Sequence, residues 1–196
     1  KEDSAEHGFD CRPDLDVASS SLWEPKKKSY VYTRDGVSRN QGEQIDYILG
    51  LIKKYNLVYV EDPVHEDDFQ GFRELTEKSS GCLICGDDLF VTNVKRLSQG
   101  IKVHAGNAII IKMNQVGTLT ETWDTTKMAL ENGYIPVMSH RSGETVSTHI
   151  AHLAVAFKAP VIKTGVVGGE RIAKLNELLR IEESLGEKAR MANLKI

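Results

Sequence analysis

Short apolar runs alternate along this chain with stretches whose apolar residues fall three or four positions apart. Leu57-Val58-Tyr59-Val60, Leu83-Ile84, Ala108-Ile109-Ile110-Ile111, Val137-Met138 and Val161-Ile162 each have the length of a buried strand. Between them the spacing is helical: Ile45, Ile48, Leu49 and Ile52; Phe69, Phe72 and Leu75; Val94, Leu97 and Ile101. It continues with Leu119, Trp123, Thr126 and Leu130; Ile150, Leu153, Ala154 and Phe157; Ile172, Leu175, Leu178 and Leu179. Strand then helix, repeated, predicts an α/β fold with parallel strands. From Glu61 onward the strand ends recur about every 25 residues, the length of one βα unit with short loops. Strands are expected near 14–18, 57–61, 82–86, 108–112, 135–139 and 160–163. That is an incomplete β/α barrel of about six βα units, because a closed one has eight strands and typically about 250 residues.

Residues 19–42 break the rhythm. They hold Pro25, the run Lys26-Lys27-Lys28 and Tyr30-Val31-Tyr32, and predict a small hairpin excursion before a helix near Gln44. Thr92-Asn93 is an expected N-cap, and Asn132-Gly133 an expected helix stop. From Glu187 the tail is polar.

Composition narrows the classes. Lys and Arg (25) nearly balance Asp and Glu (28), so no net field favours nucleic acid or a membrane surface. No apolar stretch reaches the roughly 18 residues of a spanning helix. Three cysteines are too few for a disulfide scaffold and suit a reducing cytoplasm. Cys82-Leu83-Ile84-Cys85 has metal spacing, but an odd separation in a strand points the two thiols to opposite faces.

The chemistry gathers where the apolar runs end. Carboxylates follow at Asp16, Glu61 and Asp87, lysines at Lys112 and Lys163, and a polar cluster at Ser139-His140-Arg141-Ser142-Gly143-Glu144-Thr145. In a parallel barrel these ends open on one face, the active-site face. Three carboxylates could supply oxygens to Mg²⁺, though each alone also suits an ion pair or a cap. Lys112, after the most apolar run, suits either a base of lowered pKa or an ion-pair partner. Arg141 offers a planar fork to a phosphate or carboxylate, and the loop is expected to open a helix whose N-terminus adds donors. His65 falls at the same end by position; His104, His149 and His152 read as surface residues.

Several of these strings together resemble one family. Tyr59-Val60-Glu61-Asp62-Pro63, Gly86-Asp87-Asp88-Leu89-Phe90-Val91-Thr92-Asn93, Ile111-Lys112-Met113-Asn114-Gln115-Val116-Gly117-Thr118, Ser139-His140-Arg141-Ser142-Gly143-Glu144-Thr145 and Ile162-Lys163-Thr164-Gly165 are similar to enolases. Gly165-Val166-Val167-Gly168-Gly169-Glu170-Arg171-Ile172-Ala173-Lys174-Leu175-Asn176-Glu177 resembles the archaeal members. The resemblance implies the C-terminal part of a TIM-type barrel domain, residues 1–196, with the N-terminal domain and first barrel strands absent. It implies Mg²⁺-dependent, reversible dehydration of 2-phosphoglycerate to phosphoenolpyruvate, in the cytoplasm. Asp16, Glu61 and Asp87 match metal ligands, with Glu61 and Asp87 also facing substrate. Lys112 matches the base, His140, Arg141 and Ser142 the substrate-binding positions, and Lys163 the lysine at the substrate carboxylate. The general-acid glutamate and the closing loops of the family belong to the absent part. Two local departures are Met113, where archaeal members usually have proline, and Val146-Ser147-Thr148 in place of a more acidic stretch.

The expected partners are this substrate pair and either a second copy of the chain or the missing N-terminal half. Two alternatives stand beside this one. The chain could serve as an assembly or binding module through its open sheet edges. It could also belong to another metal-dependent acid-sugar dehydratase or racemase of the wider superfamily.

Overall fold

A computed structural model describes residues 6, 8 and 11–194. The chain divides into two compact units, one formed by residues up to Leu89 with 99–107, the other by 90–98 with the residues from Ala108 onward. Each has its own parallel strands followed by helices, as the alternation predicts.

The first unit contains β1 (Leu15–Asp16), β2 (Trp23–Glu24), β3 (Ser29–Tyr32), β4 (Val37–Arg39), helix α1 (Gln41–Tyr55), β5 (Tyr59–Glu61), α2 (Phe69–Lys78) and β6 (Leu83–Gly86). Strand β5 pairs in parallel with β1 on one side and β6 on the other. The excursion is an antiparallel sheet, β2-β3-β4, with the lysine run in an exposed turn. Helix α1 starts at a reciprocal cap: Asn40 Oδ1 accepts the Glu43 amide at 3.0 Å, and Glu43 accepts the Asn40 amide at 2.8 Å. It stops at Asn56, whose φ of 53° is left-handed. Ile45, Ile48, Phe72, Leu75, Val60 and Ile84 form the buried core of this unit.

Strand β1 is shorter than expected. Ala18 turns left-handed at φ 46°, which ends the extended run, although Val17 N–H still donates to Glu61 O. Cys82 and Cys85 are both buried free thiols, and Cys11 is exposed. Burial pushes the Cys82 thiol up to about 11 and Cys85 well above its ordinary value, which disfavours the reactive thiolate form of both.

Helix α3 (Val94–Val103) is divided between the units; Asn93 caps it, its Oδ1 accepting the amide of Lys95 at 2.9 Å. The second unit continues with β7 (Ala108–Ile111), α4 (Met113–Val116), α5 (Leu119–Glu131), β8 (Ile135–Ser139), α6 (His149–Ala156), β9 (Val161–Lys163) and α7 (Gly169–Leu185). Strand β8 lies between β7 and β9, parallel to both. Ile109, Ile110, Val137, Met138 and Ala151 are fully buried. Helix α5 buries three threonines, Thr122, Thr125 and Thr126. Their hydroxyls donate to carbonyls one turn back at 2.6, 2.9 and 2.8 Å, which removes the cost of burying a bare hydroxyl.

Two features depart from the sequence expectation. The single turn α4 follows Lys112 directly. The loop after β8 does not open a helix: residues 140–148 are irregular, and α6 begins only at His149. The donors of a helix N-terminus therefore do not belong to His140-Arg141-Ser142. Among the described residues, no helix is long and apolar enough to cross a membrane.

Candidate active site at the strand tips

In the first unit the acidic residues sit at strand ends. Asp16 and Glu61, the last residues of β1 and β5, are direct partners in register. Asp87 follows Gly86, the last residue of β6. Glu61 and Asp87 are buried, and Asp16 is exposed. The Tyr59 hydroxyl, two residues before Glu61 on the same strand face, donates to Glu61 Oε2 at 2.5 Å.

Asp62, outside the expected ligand set, organises this end. Its two carboxylate oxygens accept the backbone amides of Asp87 and Asp88, each at 2.9 Å. Its own amide donates to Cys85 O. Burial pushes the Asp62 carboxyl up to about 8; the two amides oppose this, and the neighbouring Asp88 and Asp87 add to it. Among the described residues, Asp62, Asp87 and Asp88 place ligand atoms within 4.8 Å of one another. This group shares only Asp87 with the expected set of Asp16, Glu61 and Asp87. The donors are all carboxylate oxygens, the type a hard divalent cation takes, and such crowding of negative charge is what a cation would relieve. The carboxylates present therefore fit a resident divalent cation.

In the second unit the cationic residues stand at the tips of three adjacent strands. Ile111, before Lys112, is in register with Met138; Ser139, before His140, is in register with Lys163. His140 N–H donates to Lys163 O at 3.1 Å. Lys112 is half-buried. Its backbone amide donates at 2.9 Å to the hydroxyl of Thr92, which in turn donates to Gln115 Oε1 at 2.8 Å. Val91 and Thr92 both hold positive φ, 44° and 52°, an unusual cost for β-branched residues that such tethers sustain. Arg141 donates to Asn114 Oδ1 at 3.0 Å. Ser142 is exposed. The buried Thr164 hydroxyl oxygen has no hydrogen-bond partner among the described residues.

Helix α7 holds the loop after β8. Arg171 donates to the carbonyls of Arg141 at 3.2 Å and Ser142 at 3.0 Å, and to His140 Nδ1. An accepting Nδ1 puts the proton of the neutral ring on Nε2. His140 titrates below the ordinary value, first through burial and then through the charges of Arg171, Lys163 and Lys112, with Glu144 opposing. Lys174, fully buried on α7, pairs with Glu144 and donates to Thr145 O and, at 2.6 Å, to Glu170 O. A Cβ at Gly165 would lie 3.2 Å from the Arg171 side chain, which would have to yield slightly to a larger residue here.

Four further histidines are among the described residues. His65 stacks on Trp23, centroids 4.6 Å apart, and lines an open cavity of about 700 Å³ with Lys28, Gln41 and Asp68. His152 pairs with Glu177 at 3.0 Å, His149 contacts Ser147 at 2.6 Å, and His104 is exposed. Asp62 follows Glu61 at the end of its apolar run, but nothing local assigns it, Arg171 or Lys174 these contacts. The one available signal was for Tyr59, whose two-residue spacing from Glu61 puts both on one strand face.

Residues 3–196 match the family described as the enolase C-terminal TIM barrel domain. The enolase of Methanosphaera stadtmanae is 62% identical over 186 residues, 94% of this chain and 45% of that protein. The enolase of Methanothermobacter thermautotrophicus is 57% identical over 190 residues, 96% of this chain and 45% of that protein. The enolase of Archaeoglobus fulgidus is 53% identical over 186 residues, 95% and 45% respectively. The chain thus spans a little under half the length of these relatives, and its parallel βα units are those of an incomplete TIM barrel. A match across nearly all of its residues means that the chain belongs to the enolase family.

Proposed function

We propose that this chain is the C-terminal barrel portion of a phosphopyruvate hydratase, a lyase of glycolysis and gluconeogenesis. It interconverts 2-phosphoglycerate and phosphoenolpyruvate with Mg²⁺. The supporting observation is the line of Lys112, His140 and Lys163 at the tips of three adjacent parallel strands. The proton beside a carboxylate is barely acidic, because its removal doubles the negative charge there. Lys112 removes that proton. Lys163 faces the substrate carboxylate, and His140, Arg141 and Ser142 hold the phosphate end. Asp16, Glu61 and Asp87 would hold a divalent cation, which would supply further neutralising charge, the general strategy of enolase-superfamily sites. The electron pair of the broken C–H bond forms the double bond as the neighbouring C–OH bond breaks. The hydroxide leaves as water after taking a proton from a general acid supplied by the rest of the enzyme. Arg171 and Lys174 keep the phosphate loop in one conformation, which lowers the ordering cost of binding.

Calorimetric titration of the chain with 2-phosphoglycerate and Mg²⁺ tests this. Binding is expected, weakened about tenfold or more by Arg141→Ala, since a charge-assisted hydrogen bond is worth about 1.5–3 kcal/mol. Absence of binding would overturn the assignment. Turnover by the chain alone is expected to fall at least about 10²-fold short of an ordinary rate, the typical worth of a general acid. A rate near the ordinary ~10 s⁻¹ would show instead that no further segment is needed.

A further inference from the structure

We propose that Tyr59 is a positioning residue for the divalent cation: its half-buried hydroxyl holds the Glu61 carboxylate in one orientation. The inference rests on the reading of Glu61 as a metal ligand. Tyr59 and Glu61 lie two residues apart on β5, so the pleat puts both side chains on one face. The phenol oxygen is 2.5 Å from Glu61 Oε2, a short, charge-assisted contact. A free glutamate rotates about its terminal torsion and offers either oxygen. Here the phenol engages Oε2 and restricts that torsion.

The surroundings favour this role. Cys85 is the register partner of Glu61 and is fully buried. Burial, with Cys85 and Glu61 reinforcing it, raises the Tyr59 phenol far above its ordinary value. Partners of this kind around ligating carboxylates typically change metal affinity about 10- to 100-fold when removed.

The test is Mn²⁺ binding to the 196-residue chain, followed by the electron paramagnetic resonance of free and bound ion. Wild-type protein is expected to bind, Glu61→Gln to lose binding, and Tyr59→Phe to bind about 10- to 100-fold more weakly. The bound-ion spectrum of Tyr59→Phe should also broaden as the carboxylate loses its single orientation. Loss of packing alone would not produce that signature when the melting temperature in chelator is unchanged. Wild-type affinity in Tyr59→Phe, with binding still abolished by Glu61→Gln, would overturn the role of Tyr59 and leave the metal reading intact. No binding by the wild-type chain would overturn both. If Tyr59→Phe fails to fold, 3-fluorotyrosine at position 59 reports the same contact without removing it. Its ¹⁹F resonance should move on Mg²⁺ addition, and a fixed resonance with metal bound would overturn the inference.

Discussion

His140 shows how one residue is set by several neighbours. Its ring accepts from Arg171, and the charges of Arg171, Lys163 and Lys112 reinforce burial in disfavouring the imidazolium, against the pull of Glu144. An unfolded histidine titrates near pH 6.5. Because the folded value is lower, the unfolded chain takes up the proton first as the pH falls. Stability is therefore lost between about pH 6.5 and the lower folded value, and is unaffected above that window. Arg171→Met should move the His140 titration, read by NMR, upward toward its ordinary value without fully reaching it, since burial is the larger cause. An unmoved titration would remove Arg171 from the account. The residue type was legible in the sequence as a candidate, but its tautomer was not. The arginine that fixes it lies 31 residues further along the chain.

At the scale of elements, α7 clamps the loop after β8 through an ion pair between Lys174 and Glu144. Lys174 is fully buried and Glu144 nearly so. Two charges removed from water hold one another only while both are present. Lys174→Met should cost about 3–5 kcal/mol, measured by urea unfolding, because it strands the Glu144 carboxylate. Adding Glu144→Gln should recover much of that loss, and simple addition of the two single effects would show that they do not interact. Helical spacing identified α7 from Ile172, Leu175, Leu178 and Leu179. That spacing could not reveal that Lys174, a residue type that almost always faces solvent, is the buried one.

For the whole molecule, ligand linkage gives the broadest check. A cation that binds only the folded chain adds about 2.7 kcal/mol of stability at 100 times its dissociation constant. For a chain of this size that is roughly 5–10 °C in melting temperature. Mg²⁺ should produce such a rise, and Asp87→Asn should abolish it. Where calorimetry resolves separate transitions, the one belonging to the unit containing Asp16, Glu61 and Asp87 should move. An equal shift in Asp87→Asn would place the ion elsewhere. Since the relatives are about twice as long as the chain, these measurements need no catalytic turnover to be informative.

The sequence by itself determined the order and type of most elements, because hydrophobic period is local: two residues per repeat in a strand, 3.6 in a helix. It also determined which charged residues end up at strand tips, since a strand stops where its apolar run stops. Tertiary structure alone decided the two-residue length of β1, the helical turn after Lys112 and the irregular loop from His140 to Thr148. It alone brought Asp62 to the amides of Asp87 and Asp88, and Arg171 and Lys174 to the loop after β8. Those contacts join residues about 25 to 31 positions apart, a separation at which no local period carries information and only packing selects the partner.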